Sequence, residues 1–321
     1  MKTHKVRNSL LLLLTALIWG TAFVAQSVGM DYVGPFTYSC VRSLIAGIML
    51  IPCIAFLNKV NPNQEEKEIC RDESRRKAYQ KKLLIGGICC GLALGVASCL
   101  QQIGIQHTTV GKAGFITTFY IIIVPIIGLF FKKRCGLNVW AGVVLALAGL
   151  YFLCITEGFS IGYGDTMVFL CALAFSIHIL VIDHFTELVD GVRIQDIFTP
   201  STSSVKWVKM SCIQFFVAAI VSGVGMLVME QPDIHNILAA WLPILYAGAL
   251  SSGVGYTLQI IGQKGMNPTI ASLILSLESV ISVLAGMVIL DEQLSSREIL
   301  GCVLMFIAIV LAQLPEKKKA V

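Results

Sequence analysis

The sequence predicts an all-α integral membrane protein, with ten transmembrane helices built as two inverted five-helix repeats. Three observations lead there. Of 321 residues, 56% are hydrophobic and 13% charged, about half the ~25% charged share of a soluble domain; mean hydropathy is +0.81. Apolar stretches of about 20 residues, the length a helix needs to cross the hydrocarbon, recur between short polar connections. The two halves of the chain also repeat each other, each with an odd number of stretches. High hydrophobicity excludes a disordered chain. The net charge of +5 is spread in short clusters between apolar stretches, the membrane pattern, so the partner is the lipid bilayer and not nucleic acid.

The ten spans run approximately over residues 9–28, 35–57, 83–105, 112–131, 137–155, 164–184, 208–229, 241–263, 269–290 and 298–314. Lys2, Lys5 and Arg7 precede the first as they would a signal peptide, but no A-x-A site ends it and nine spans follow, so it is a retained helix. Residues 1–8 form a cytoplasmic N-terminus, 9–156 the first repeat, 164–314 the second, and 315–321 a basic cytoplasmic tail. With the N-terminus inside, the cytoplasmic segments carry 21 of the 24 Lys and Arg residues. The outside connections carry Lys112 and Arg297, and Arg42 lies within span 2. That bias sets the orientation in the cell membrane, with both termini cytoplasmic. The one long connection, 58–82, mixes charges of both signs and is expected to be a solvated loop or short surface helix. Nine of the eleven cysteines fall in apolar stretches and none forms C-x-x-C; they are small hydrophobes, neither disulfides nor metal ligands.

The repeat is visible residue by residue. Ser39 through Ile48 in span 2 matches Ser211 through Ile220 in span 7, so Arg42 corresponds to Gln214. Val110 through Ile116, opening span 4, sits opposite Pro268 through Ile274 in span 9, which makes Tyr120 the equivalent of Glu278; Gly142 pairs with Gly301. Inverted repeats are the architecture of alternating-access carriers, whose substrate site lies near the midplane between the copies.

Ala16-Leu17-Ile18-Trp19-Gly20, Pro35 through Arg42, Leu277-Glu278-Ser279-Val280 and Leu290-Asp291-Glu292-Gln293-Leu294 followed by Gly301 resemble the drug/metabolite transporter superfamily, specifically its ten-span members with two EamA-type domains. The resemblance runs from about Leu10 to Leu314. It implies a transporter of the inner or plasma membrane, often an exporter of amino acids or other small metabolites. Many members carry a proline after the span 9 glutamate, where this chain has Ser279.

Glu278 lies nine residues into span 9, ~14 Å deep and close to the midplane. An intramembrane carboxylate faces a cavity, a partner or a proton path, so Glu278 is the candidate for binding a cationic group and for proton coupling, against a purely structural role. Arg42, ~10 Å below the outer surface by the same rise, is placed to bind a substrate carboxylate, to pair with Glu278, or to snorkel. Polar residues at helical spacing mark wet faces: Thr15, Trp19 and Gln26 in span 1; Ser98 with Gln101 or Gln102 in span 3; Ser252, Tyr256, Gln259 and Gln263 in span 8; and Ser272, Ser276, Ser279 and Ser282 around Glu278. The candidate substrate-binding set is therefore Trp19, Arg42, Gln101, Tyr120, Gln214, Tyr256, Gln259 and Glu278, with Trp19, Tyr120 and Tyr256 offering aromatic faces. The competing reading is interhelical hydrogen bonding, which uses the same residue types. Gly87, Gly91 and Gly95 read as close helix packing, as do Ala247, Ser251 and Gly255. His178 reads as a buried, hydrogen-bonded histidine, and Asp165 as a helix cap.

No motif for ATP, metal or hydrolysis appears. The nearest phosphate-loop spacing, Gly104 to Lys112, is two residues too long and is followed by Ala113. The expected function is secondary transport of small metabolites, as an exporter of amino acids or related compounds, without cofactor or metal. The alternatives are an importer or exchanger of a sugar, organic cation or drug, and a non-transporting membrane sensor. An intramembrane enzyme would need a nucleophile and base pair, and the sequence shows none.

Overall fold

The computed structural model describes residues 2–60, 73–108, 110–130, 136–154, 162–190, 205–290 and 295–314, and every regular element among them is helical. The first repeat supplies α1 (Lys2–Met30), α2 (Pro35–Val60), α3 (Glu73–His107), α4 (Val110–Thr117), α5 (Tyr120–Phe130) and α6 (Leu137–Cys154). The second supplies α7 (Tyr163–Asp190), α8 (Val205–Met229), the short α9 (Ile234–Ala239), α10 (Trp241–Leu245), a π-helical segment (Tyr246–Tyr256), α11 (Thr257–Gln263), α12 (Pro268–Leu275), α13 (Leu277–Leu290) and α14 (Ser296–Gln313). The clusters Lys132–Arg134 and Asp291–Gln293, together with Cys70, Arg193 and the basic tail, lie outside the described residues.

Eight stretches are long and apolar enough to cross a membrane, while spans 5 and 10 are apolar only over Leu137–Phe152 and Ile299–Ala312. Their helices, α6 and α14, have 18 residues each, or about 27 Å at 1.5 Å per residue. They pair with each other closely enough that a side chain on Gly142 would lie 2.9 Å from the Ala308 carbonyl oxygen. Large apolar side chains such as Ile48, Phe56, Val144, Ile220, Leu227 and Phe306 are exposed around the bundle, a belt suited to lipid and not to water. The protein is a multi-pass membrane protein.

Helix boundaries follow local chemistry. Pro35 opens α2, and the Glu230 carboxylate caps it from the other repeat, accepting from Phe36 N at 2.9 Å and Thr37 N at 2.7 Å. Pro268 opens α12 after Asn267, whose side chain accepts from Thr269 N at 2.9 Å. Asp165 sits at the start of α7, accepting from Gly162 N at 2.9 Å and from the Thr108 hydroxyl. Part of the 58–82 connection is regular: α3 begins at Glu73, with an exposed Glu73–Lys77 pair at 2.7 Å on its first turn.

Spans 4 and 9 are both broken, and at equivalent points. Thr118 and Phe119 separate α4 from α5, and Ser276 separates α12 from α13. Span 9 breaks without a proline. Instead the Thr118 hydroxyl donates to Phe115 O at 2.8 Å, and the Ser276 hydroxyl donates to Leu273 O at the same 2.8 Å. Tight i to i+3 bonds follow at both points, from Ile121 N to Thr118 O (3.0 Å) and Ser279 N to Ser276 O (3.2 Å). Both second half-helices therefore begin partway along their spans.

The repeats are interwoven. The closest neighbours of α3 are α7 and α8, those of α2 include α8, α6 lies on α14 and α1 on α13, so each long contact joins one copy to the other. Gly87, Gly91 and Gly95 are packing residues, as expected: a Cβ on Gly91 would fall 2.6 Å from the Gln214 carbonyl oxygen of α8.

Candidate functional site

Equivalent residues of the two copies touch. The Tyr120 hydroxyl donates to Glu278 Oε1 at 3.0 Å across a sequence separation of 158 residues, and the same separation relates Gln101 to Gln259. Tyr120 opens α5 and Glu278 lies in the first turn of α13. The two tightened turns thus lie side by side where Tyr120 and Glu278 meet.

A narrow cavity surrounds this point. Seven of the eight candidate binding residues line it: Trp19, Arg42, Gln101, Tyr120, Tyr256, Gln259 and Glu278. Gln214 does not. It is fully buried behind the cavity, where its Oε1 meets His178 Nε2 at 3.2 Å and its Nε2 donates to Ser211 Oγ at 3.4 Å. His178 is thus hydrogen-bonded, and its ring stands edge-on to Tyr256 at 5.8 Å.

Arg42 and Glu278 are both 4% exposed and form no ion pair with each other. Arg42 Nη1 donates to Gln26 Oε1 at 3.1 Å, and the guanidinium lies 5.8 Å from the Tyr38 ring centroid. Each charge is held by a neutral partner, which leaves the other donors of the guanidinium fork and the second carboxylate oxygen available to a ligand. The snorkelling and the Arg42–Glu278 pairing weighed above are both replaced by a buried guanidinium tied to Gln26.

Span 8 carries the largest departure from regular geometry. Its π-helical segment covers 11 residues, where such turns are ordinarily single and mark functional positions. The wide turns present carbonyls to α1: Trp19 Nε1 donates to Ser251 O at 3.1 Å, and Thr15 Oγ1 donates to Gly255 O at 3.3 Å. These bonds seat the Trp19 ring against Tyr256, with centroids 4.5 Å apart. Ser251, assigned to packing above, packs on α1 and also lines the cavity.

Sequence reasoning left Phe23, Phe175, Ile179 and Leu275 out of the site, though all line the cavity. The signal was available: aligning Ala16-Leu17 with Ala172-Leu173 sets Trp19 opposite Phe175 and Phe23 opposite Ile179. Among the described residues several buried polar atoms have no hydrogen-bond partner, His178 Nδ1, Gln259 Oε1 and both ends of the Gln263 amide among them. Each such group costs about 1–3 kcal/mol if nothing meets it. Among the described residues no group of three His, Cys, Asp or Glu could hold a metal.

The EamA-like transporter family matches residues 7–155 and again 162–314. The chain belongs to this family. It is therefore a drug/metabolite transporter superfamily member and a membrane transporter of small molecules. It is 28% identical over 305 residues to an uncharacterized transporter of Archaeoglobus fulgidus, covering 94% of this chain and 84% of that one. It is 23% identical over 290 residues to the uncharacterized transporter YoaV of Bacillus subtilis, covering 90% of each. A solved structure superposes with a TM-score of 0.70 over 95% of this chain and 96% of its own, at 17% identity, a likeness of fold alone.

Proposed function

We propose that this EamA transporter exports amino acids or closely related zwitterionic metabolites by alternating access, with Glu278 exchanging a proton for substrate. The observation that carries the reading is one cavity with a buried guanidinium and a buried carboxylate that do not neutralise each other. A zwitterion satisfies both at once, its carboxylate on the Arg42 fork and its ammonium on Glu278, while Trp19, Phe175 and Tyr256 surround the side chain. An organic cation offers Arg42 no acceptor, and a sugar offers it neutral hydroxyls without the charge of a carboxylate, so both are disfavoured.

Because the repeats are interwoven, opening does not separate one copy from the other. It parts helices of different copies on one side of the cavity while their equivalents close on the other. The test is metabolite profiling of medium and cytosol with and without overexpression. One or more amino acids should accumulate in the medium by about tenfold or more, as expected where a carrier sets the efflux rate. A rise confined to sugars or simple cations would contradict the zwitterion.

Orientation belongs to the same proposal. The bias of 21 inside to 2 outside places both termini in the cytosol of a cell whose plasma or inner membrane holds the protein. Cys70 and Cys135 should then resist an impermeant thiol reagent in intact cells and react once the membrane is opened. Ready labelling of either in intact cells reverses the topology.

A further inference from the structure

We propose that Gln259 and Gln263 form a second substrate-contacting station on the cytoplasmic side of the central cavity, sealed in this conformation by Leu12 packed over Gly262. The inference rests on the transport reading and its orientation, and adds the route by which a polar solute reaches the cavity. Tyr256, Gln259 and Gln263 follow one another at spacings of three and four, so they share one face of the lower part of span 8. The first two line the cavity. Gln263 lies one turn further toward Lys264 and is 1% exposed, with neither amide atom partnered.

The repeat shows that packing alone does not call for an amide there. Gln259 corresponds to Gln101, but Gln263, at the same separation of 158, corresponds to Ile105, which is buried at 6% exposure in the first copy. An isoleucine fills the equivalent place. A buried amide with both ends free donates to a carboxylate and accepts from an ammonium, which suits it to zwitterions and their water.

The seal is equally specific. A Cβ on Gly262 would lie 2.9 Å from Leu12 Cγ and Cδ2 and 3.2 Å from Asn8 O, and Asn8 Nδ2 donates to Lys264 O at 2.9 Å. The first turns of α1 therefore lie directly on α11. The inverted copy repeats this contact on the opposite side of the membrane. Gly104, the equivalent of Gly262, is covered by Val168 and sits 3.1 Å by the same measure from Gly164 O. Leu12 to Val168 and Asn8 to Gly164 are both separations of 156 residues. The two glycine contacts, both closed in this structure, are equivalent lids at opposite ends of one cavity, and alternating access opens them one at a time.

The test places Gln263→Cys in a protein whose eleven cysteines are replaced, and measures reaction with an impermeant thiol reagent in inside-out vesicles. Gly262→Val wedges the cytoplasmic lid and should raise the rate about tenfold, while Gly104→Val wedges the outer lid and should lower it severalfold, as a population shift requires. Ile307→Cys on the lipid-facing surface should respond to neither. Equal rates in the two wedged proteins, or a faster one with Gly104→Val, would overturn the proposal. As a second arm, Gln263→Ile installs the residue the other copy carries. It should keep or raise the thermal midpoint while efflux of a mixture of the twenty proteinogenic amino acids from loaded proteoliposomes falls by about fivefold or more. Unchanged efflux overturns the station. If no amino acid is transported by the wild type, the labelling arm still decides, so failure of the gate and failure of the substrate reading remain distinguishable.

Discussion

Glu278→Gln should abolish most net transport against a gradient, by at least about an order of magnitude or ~1.4 kcal/mol, while expression stays near normal. Glutamine has the shape of glutamate, and its Oε1 can still accept from the Tyr120 hydroxyl now 3.0 Å away, so the contact between the two copies survives. On the proposed mechanism the substitution removes both the charge for a substrate ammonium and the group that would take up and release a proton. Export by the wild type should therefore rise with an inward proton gradient, and export by the variant should be indifferent to pH. Tyr120→Phe separates the roles, because it removes the bond and keeps the carboxylate; it should lower the rate and retain the pH dependence. If Glu278 only holds span 9 to span 4, the glutamine variant loses thermal stability in proportion to transport. Unchanged uphill transport with unchanged pH dependence would remove the coupling role.

Arg42→Gln should raise the apparent KM for any carboxylate-bearing substrate about 10- to 100-fold, the range of a charge-assisted hydrogen bond at ~1.5–3 kcal/mol. The replacement is the one the second copy carries at the equivalent position, Gln214, so the helix itself tolerates it. Arg42→Lys should recover little, because an ammonium keeps the charge but loses the planar fork that can hold Gln26 and a carboxylate together. The measurement is substrate-dependent quenching of Trp19 fluorescence, with Trp140, Trp207 and Trp241 replaced by Phe, beside efflux kinetics and with thermal unfolding as the control for folding. A substrate whose affinity is the same in wild type and Arg42→Gln would assign the guanidinium to the Gln26 tie alone.

Much of this was legible without coordinates. Composition and the ten apolar stretches determined a membrane protein, because a helix in lipid must hide its backbone for about 20 residues and nothing subtler is needed to see it. The repeat determined that Tyr120 and Glu278 are equivalent, and equivalent residues near an axis meet; the bond between them is the outcome. Intramembrane charge singled out Arg42 and Glu278, because burying a charge is costly wherever it occurs.

The tertiary structure alone decided which polar stripe faces the cavity and which faces a neighbour. Gln101 and Gln214 look alike in sequence, yet one lines the cavity and the other is tied to His178, because interhelical hydrogen bonds and wet walls use the same residues at the same spacing. The span 9 break falls at Ser276, whose hydroxyl donates to Leu273 O, and not at a proline, and the π-helical turns of span 8 offer carbonyls that Trp19 and Thr15 of α1 take up. Local sequence records the propensity of a turn. Which carbonyl a distant side chain claims, and which helix of the other copy lies alongside, depend on partners more than two hundred residues away, and only the packed chain brings them together.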